Sequence, residues 1–127
     1  MPKVLWAALG GFLGSAARYA VSGAVYGLFP GAAFPVGTLA VNVLGCLCIG
    51  GLTGLAEGRG LLGPEARVFL LIGVLGGFTT FSTFGYETWQ MLRDGQMGAA
   101  LWNTLAQVVL GVGAVWFGFA AVSRWVG

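Results

Sequence analysis

The sequence predicts an all-α membrane protein built from four transmembrane helices. Of its 127 residues, 57% are hydrophobic and only 8% are charged, whereas soluble domains carry about 25% charged residues. The apolar residues form four blocks, each long enough to supply the ~20 residues that a helix needs to cross the hydrocarbon core. Short segments join the blocks, so we expect one transmembrane domain and no soluble domain. The predicted spans are residues 4–28, 34–56, 66–91 and 97–122.

The spacing of small residues supports helices rather than barrel strands. Gly and Ala recur every three or four positions, as in packed membrane helices, and the period-two alternation of barrel strands is absent. Six basic and four acidic side chains are too few for a nucleic-acid surface, so no nucleic-acid partner is expected. Cys46 and Cys48, two positions apart, point to nearly opposite helix faces, which argues against a mutual disulfide.

Spans one and two each carry a polar side chain within an apolar helix. Arg18 shares a face of span one with Gly14 and Ser22. A charge inside a span needs water or a partner, so Arg18 is a functional candidate. In span two, Asn42 shares a face with Thr38. Its amide either joins helices or lines a path, and the residues alone leave both readings open.

Span three contains the stretch "GVLGGFTTFSTFGYE", which predicts a break in the helix. Gly76 and Gly77 each lower helix stability by ~1 kcal/mol relative to alanine. The hydroxyls that follow compete for the backbone's own hydrogen bonds. In lipid, freed N–H and C=O groups are tolerated only where protein, water or an ion satisfies them. A break in the middle of this span therefore implies a polar cavity or a bound species.

The side chains of this stretch favour an anion. Phe81 and Phe84 lie three positions apart on one face, and the edge of an aromatic ring carries partial positive charge. Asn42 offers amide donors and Arg18 a positive potential. Hydroxyls and the Glu87 carboxylate follow at the same turn spacing. These residues predict a narrow, donor-lined path, although two phenylalanines at this spacing are also common as packing residues.

Span four carries two amides, Asn103 and Gln107, one turn apart on the face that also presents Gly111. Its tryptophans include residues near the helix ends, where aromatic rings anchor a span at the membrane interface. They are Trp102, Trp116 and Trp125.

The chain resembles the Fluc family of fluoride channels, also called CrcB, along essentially its whole length. The motifs are "GGFLGSAARY" in span one, "PVGTLAVNVLG" in span two and "GVLGGFTTFSTFGYE" in span three, in that order. The resemblance implies an antiparallel, dual-topology homodimer of four-helix protomers with two fluoride pores. It also implies passive fluoride export across the inner membrane of a prokaryotic cell, which protects the cell from fluoride toxicity.

The resemblance also assigns roles to individual residues. Phe81 and Phe84 match the phenylalanine pair that lines the pores, and Asn42 matches the asparagine that donates to the ion. Arg18 matches the arginine of the aqueous vestibule. The remaining positions that match polar residues near the pore are Thr80, Ser82, Thr83 and Glu87.

A structural sodium ion at the dimer interface is the implied cofactor. The resemblance assigns its ligands to the backbone carbonyls of Gly76 and Thr79 from both subunits. Two features depart from the family pattern. Glycines and amides stand in span four where many members carry hydroxyl residues. The basic residues are also unevenly divided for a protein expected to insert both ways, since one side is predicted to hold Lys3, Arg59, Arg67 and Arg124.

Two other classes of function compete with a channel. A small multidrug-type proton antiporter also has four helices, but it needs a carboxylate in span one, where this chain has Arg18 and no acid. A non-conducting assembly subunit would use the same polar residues only to hold helices together. An enzyme is the least supported class, because no nucleophile, base and orienting group converge by spacing.

Overall fold

The computed structural model describes residues 1–126, and within them every regular element is helical. Four helical segments are long and apolar enough to cross a membrane, so the prediction of an all-α protein with four candidate spans is confirmed. We refer to these segments as spans one to four. They are Lys3–Leu28, Val36–Arg59, Pro64–Arg93 and Met97–Val126.

Spans one, two and four are each a single helix, whereas span three is composed of four consecutive pieces. The first piece is a short α-helix, the second a π-helix, and the last two are α-helices. The elements in chain order are α1 (Lys3–Leu28), α2 (Val36–Arg59), α3 (Pro64–Arg67), a π-helix (Val68–Val74), α4 (Leu75–Phe78), α5 (Phe81–Arg93) and α6 (Met97–Val126).

The helix ends differ from the predicted ends by a few residues. Helix α2 begins at Val36 rather than at residue 34, because Pro35 disfavours helical geometry in the residue before it. It continues past residue 56 to Arg59 and is capped by Gly60, which has a positive φ of 60° and donates its N–H to the carbonyl of Ala56. Helix α6 likewise runs beyond residue 122. Helical hydrogen bonding does not need to stop where the apolar composition stops.

The helices pack as two close pairs, with span one against the first half of span three and span two against span four. Both contacts bring backbone against backbone through glycine. A methyl group added at Gly73 would lie 2.8 Å from the Cα of Gly10. One added at Gly118 would collide with the carbonyl oxygen of Leu47. Small residues therefore set the distance between the helices of each pair, as is typical of membrane bundles.

Span three is interrupted between α4 and α5. Helix α4 ends at Phe78, and Thr79 and Thr80 are extended, with ψ values of 158° and 116°. Helix α5 begins at Phe81. Just before α4, the π-helix takes Leu75 N–H to the carbonyl of Leu70, five residues back. No local sequence signal predicted this π-helix, a conformation often found at functional sites.

Candidate functional site

Asn42 replaces the hydrogen bonds that the backbone loses at the interruption. The N–H of Thr80 donates to Asn42 Oδ1 over 2.8 Å rather than to the carbonyl of Gly76, four residues back. In return, Asn42 Nδ2 donates to the carbonyl oxygen of Thr80 over 3.1 Å. These two bonds satisfy both polar groups of one residue of the interrupted backbone. Asn42, a predicted site residue on span two, is therefore in direct contact with the interruption.

Arg18 reaches the same segment from span one. Its Nε donates to the carbonyl oxygen of Gly77 over 3.0 Å, which satisfies a second carbonyl at the end of α4. This bond uses one of the five guanidinium N–H donors, and Arg18 also lines the cavity beside it. Arg18, which the resemblance assigns to an aqueous vestibule, is thus hydrogen-bonded to the backbone just before the interruption.

Thr80 caps the helix that follows. Its hydroxyl oxygen accepts from the N–H of Thr83 over 3.2 Å, and its hydroxyl donates to Thr83 Oγ1 over 3.0 Å. Ser82 Oγ lies 3.4 Å away. A threonine in this position satisfies one of the free N–H groups at a helix start. The three predicted hydroxyl residues therefore form one cluster at the first turn of α5.

The two predicted phenylalanines come together on one side of the interruption. The rings of Phe81 and Phe84 have centroids 5.5 Å apart at an interplanar angle of 63°, an edge-to-face arrangement. Both rings line a cavity of about 350 Å³ together with Asn42 and Gln107. Phe81 is 81% exposed in the single chain. This cavity, which we term the aromatic cavity, is further lined by Gly45, Cys46, Ile49, Leu71, Leu75, Gly76, Thr79, Thr80 and Val108.

A second cavity, of about 460 Å³, lies on the other side of Thr80. Arg18 contributes the positive charge to its lining, and we term it the arginine cavity. Thr80 is the one residue that lines both cavities. The remaining lining residues are mostly polar: Ser15, Tyr19, Ser22, Gly23, Tyr26, Thr38, Val41 and Thr83.

Glu87, which the sequence places one turn after Phe84 on α5, lines a cavity other than the aromatic one. It lines a third cavity, of about 320 Å³, with Tyr26, Gln90 and Asp94. The Tyr26 hydroxyl donates to Glu87 Oε2 over 3.3 Å, and the buried Glu87 Oε1 has no hydrogen-bond partner. Of the predicted pore residues, Asn42, Thr80, Phe81 and Phe84 thus line the aromatic cavity, and Glu87 lines a different one.

A chain of side-chain hydrogen bonds runs from Asn42 into span four and back to α5. Asn42 Nδ2 donates to Gln107 Oε1 over 3.1 Å, and Gln107 Nε2 donates to Asn103 Oδ1 over 3.4 Å. Asn103 Nδ2 donates to Thr88 Oγ1 over 3.0 Å, and Thr88 donates to the carbonyl of Phe84 over 2.8 Å. From the sequence, the two amides of span four were recognised without a role, and Thr88 was not recognised as a candidate residue. The available signal was the spacing of Asn103 and Gln107, because side chains four positions apart on a helix lie close enough to form a hydrogen bond.

The backbone around Gly76 offers a carbonyl oxygen of the kind that can coordinate a sodium ion. Its carbonyl has lost the Thr80 N–H as partner, and Gly76 is exposed on the surface of the single chain. The Thr79 N–H and hydroxyl both donate to the Leu75 carbonyl, so neither competes for a cation's ligands. Unwound carbonyls at the end of a half-helix coordinate sodium in membrane proteins. The described residues hold no cluster of three or more His, Cys, Asp and Glu that would bind a metal in another way.

Four apolar spans, one of them interrupted, define a multi-pass membrane protein. The chain matches the sequence profile of the family described as "CrcB-like protein, Camphor Resistance (CrcB)" over residues 5–119. It therefore belongs to the CrcB family, as the sequence motifs predicted, and this is a family of ion channels rather than of enzymes.

Relatives within the family are similar over almost their whole length. The chain is 46% identical to the "Fluoride-specific ion channel FluC" of Methylobacillus flagellatus over 122 residues, which cover 96% of this chain and 95% of the relative. The protein of the same name from Geobacter sulfurreducens is 48% identical, with coverage of 98% and 99%. That of Opitutus terrae is 49% identical, with coverage of 95% and 92%.

Proposed function

We propose that this protein is a fluoride-selective channel that lets fluoride leave the cell passively. The observation that carries the proposal is the meeting of the arginine cavity and the aromatic cavity at Thr80, with Asn42 and two ring edges beside the junction. Relatives that are nearly half identical over their full length bear the name of fluoride-specific channels. In this proposal the interruption of span three lies at the middle of the bilayer.

The groups around the junction suit an ion that only accepts hydrogen bonds. Fluoride is small and strongly hydrated, so a pore must replace several hydrogen bonds to water. Amide N–H groups, hydroxyls and ring edges present positive charge to the ion, whereas carbonyl linings suit cations. Asn42 and the cluster of Thr80, Ser82 and Thr83 supply such donors. Arg18 contributes a positive potential that draws anions toward the first cavity.

Passive export is the simplest mechanism for such a path. The chain has no histidine, and the groups at the junction are neutral donors. Glu87 lies in the third cavity, and we assign it to the outer part of the path. We further propose that the protein resides in the inner membrane of a prokaryotic cell and protects that cell from fluoride toxicity.

The proposed assembly is an antiparallel homodimer with two pores and with protomers that insert in both orientations. Two features of the single chain support a partner copy. Phe81 is 81% exposed although its ring belongs to the proposed path, and Gly76, whose carbonyl does not accept from the Thr80 N–H, is exposed as well. Carbonyls of Gly76 and Thr79 from both copies would hold a structural sodium ion, which would supply a positive charge that links the two interrupted helices.

Fluoride efflux from liposomes that contain the purified protein tests the function. We expect rapid efflux of fluoride and none of chloride, read with ion-selective electrodes. Asn42→Asp places a negative charge at the junction and removes the N–H donors, and Phe81→Ile removes a ring edge. We expect each to slow fluoride efflux at least about tenfold, which corresponds to a barrier higher by ~1.4 kcal/mol. Phe117→Ile is the matched control, because Phe117 is exposed on α6 and lines neither cavity.

One observation favours the competing assembly subunit. Every N–H of Asn42 already has a partner within the chain, as expected of a residue that holds helices together. That function predicts a folded protein without fluoride efflux, in which the substitutions at Asn42 and Phe81 change stability alone. A stable wild-type protein that releases no fluoride would therefore favour the assembly subunit over the channel.

A further inference from the structure

Asn42 has no free donor for an anion in the conformation observed. The backbone N–H of Thr80 can only donate a hydrogen bond. Asn42 must therefore direct its oxygen, Oδ1, and not its nitrogen, Nδ2, at this N–H. Of the two N–H groups on Nδ2, one donates to the Thr80 carbonyl and the other to Gln107 Oε1. If Asn42 is to bind fluoride, one of these two acceptors must leave.

Gln107 is the acceptor that can leave at lower cost. The Thr80 carbonyl belongs to the backbone and is part of the paired bonds with Asn42. Gln107 has a long side chain, and its only other hydrogen bond, to Asn103 Oδ1, measures 3.4 Å, well above the usual 2.9–3.0 Å. Its oxygen occupies a place in the aromatic cavity beside the Asn42 N–H. An anion that approached Asn42 would meet this oxygen and be repelled by it.

The rest of the chain of bonds determines which way the Gln107 amide faces. Asn103 is 0% exposed, so no water replaces a lost partner there. If Gln107 alone turned over, its oxygen would face the oxygen of Asn103, which is a costly contact between two buried acceptors. If Asn103 turned over as well, its oxygen would face Thr88 Oγ1. A hydroxyl is both donor and acceptor, so Thr88 can rotate its hydrogen from the Phe84 carbonyl to Asn103.

We propose that Gln107, Asn103 and Thr88 form a relay whose hydrogen bonds all reverse direction when an anion lies beside Asn42. In the resting direction Gln107 accepts from Asn42. In the reversed direction Thr88 donates to Asn103, Asn103 donates to Gln107, and Gln107 presents Nε2 to the anion. No bond other than hydrogen bonds is made or broken. The anion gains two amide donors, one from Asn42 and one from Gln107, and the relay stays fully paired in both directions.

This inference rests on the proposed channel function, and it gives a role to Thr88, which lines none of the three cavities. An effect of Thr88 on the fluoride dependence of transport is therefore indirect: it passes through Asn103 in the relay or through the Phe84 carbonyl, and observation of Gln107 itself separates the two routes. Thr88→Val removes the reversible hydroxyl, whereas Thr88→Ser keeps it. Thr104→Val is the matched control on span four, because the Thr104 hydroxyl donates only to the carbonyl of Ala100 in its own helix.

The first measurement is the initial rate of fluoride efflux from liposomes as a function of fluoride concentration. We expect Thr88→Val to raise the half-saturating fluoride concentration about two- to tenfold, the effect of losing one hydrogen bond to the ion. Thr88→Ser should recover most of this loss, and Thr104→Val should match the wild type. Equal half-saturating concentrations in Thr88→Val and the wild type would overturn the relay.

The second measurement observes Gln107 directly and does not need Thr88→Val to fold. In wild-type protein labelled with ¹⁵N-glutamine, the side-chain amide signal of Gln107, assigned by its loss in Gln107→Met, should shift as fluoride is added. The signals of Gln90 and Gln96, which line the third cavity with Glu87, report separately on fluoride in the outer part of the path. A Gln107 signal that ignores fluoride while wild-type liposomes release fluoride would overturn the relay alone. Wild-type liposomes that release no fluoride would instead overturn the channel function.

Discussion

Thr80 makes hydrogen bonds at the interruption of span three with three different groups. Its N–H and carbonyl bond to the Asn42 amide, and its hydroxyl accepts from the N–H of Thr83 as the cap of α5. Thr80 also lines both the aromatic and the arginine cavities, so the Asn42 amide holds the backbone in place where the two cavities meet. A residue at this position needs a side-chain oxygen for the cap.

At the residue scale we expect Thr80→Ala to lower the free energy of unfolding by about 0.5–2 kcal/mol, the usual cost of losing a helix cap. Thr80→Ser keeps the oxygen and should recover most of this loss. Denaturant titration of the protein in detergent, followed by circular dichroism, measures both variants. A serine variant as unstable as the alanine variant would mean that the methyl group of Thr80, rather than its capping oxygen, supplies the stability.

At the scale of elements, glycines decide how closely the helices of each pair approach. A methyl group on Gly118 of α6 would meet the carbonyl oxygen of Leu47 and come within 3.0 Å of Gly51 N, both of which belong to the backbone of α2 and cannot rotate away. Gly113, on the same helix, has no neighbouring atom within 4 Å of the position of an added methyl. The two glycines therefore differ in packing while sharing one helix.

This difference makes Gly118→Ala and Gly113→Ala a matched pair. We expect Gly118→Ala to lower the free energy of unfolding by about 1–3 kcal/mol, the usual cost of overpacking. Gly113→Ala should leave it unchanged or raise it by up to ~1 kcal/mol, because alanine favours the helix. Thermal unfolding in detergent compares the two variants. Equal effects would contradict the close contact between α2 and α6.

At the scale of the whole molecule, the single chain exposes large apolar side chains on most of its outer surface. Lipid covers such a surface in a multi-pass membrane protein. The region around the interruption differs, because Gly76, whose carbonyl does not accept from the Thr80 N–H, is exposed there, as is Phe81. A polar backbone group toward lipid is costly, so this region is the place where we expect a second copy and the proposed sodium ion.

We therefore expect the purified protein to be a dimer in sodium chloride and to lose stability when N-methyl-D-glucamine replaces sodium at equal ionic strength. If sodium is present at 100 times its dissociation constant, its removal should cost ~2.7 kcal/mol. Light scattering after size exclusion measures the mass, and thermal unfolding measures the stability. A dimer with the same unfolding midpoint in both salts would argue against a structural sodium ion.

The sequence by itself determined the number of spans, the family and most of the residues around the candidate path. These features are local: hydropathy decides where a helix can span, and the glycines and hydroxyls that weaken a helix stand next to one another. The tertiary structure alone decided the partners of these residues. Asn42 and Thr80 are 38 positions apart, Arg18 and Gly77 are 59, and Asn42 and Gln107 are 65. Helical periodicity shows which face a side chain occupies but not which helix packs against that face. For this reason packing alone decided the two bonds between Asn42 and Thr80, the bond from Tyr26 to Glu87 and the chain of hydrogen bonds that includes Thr88.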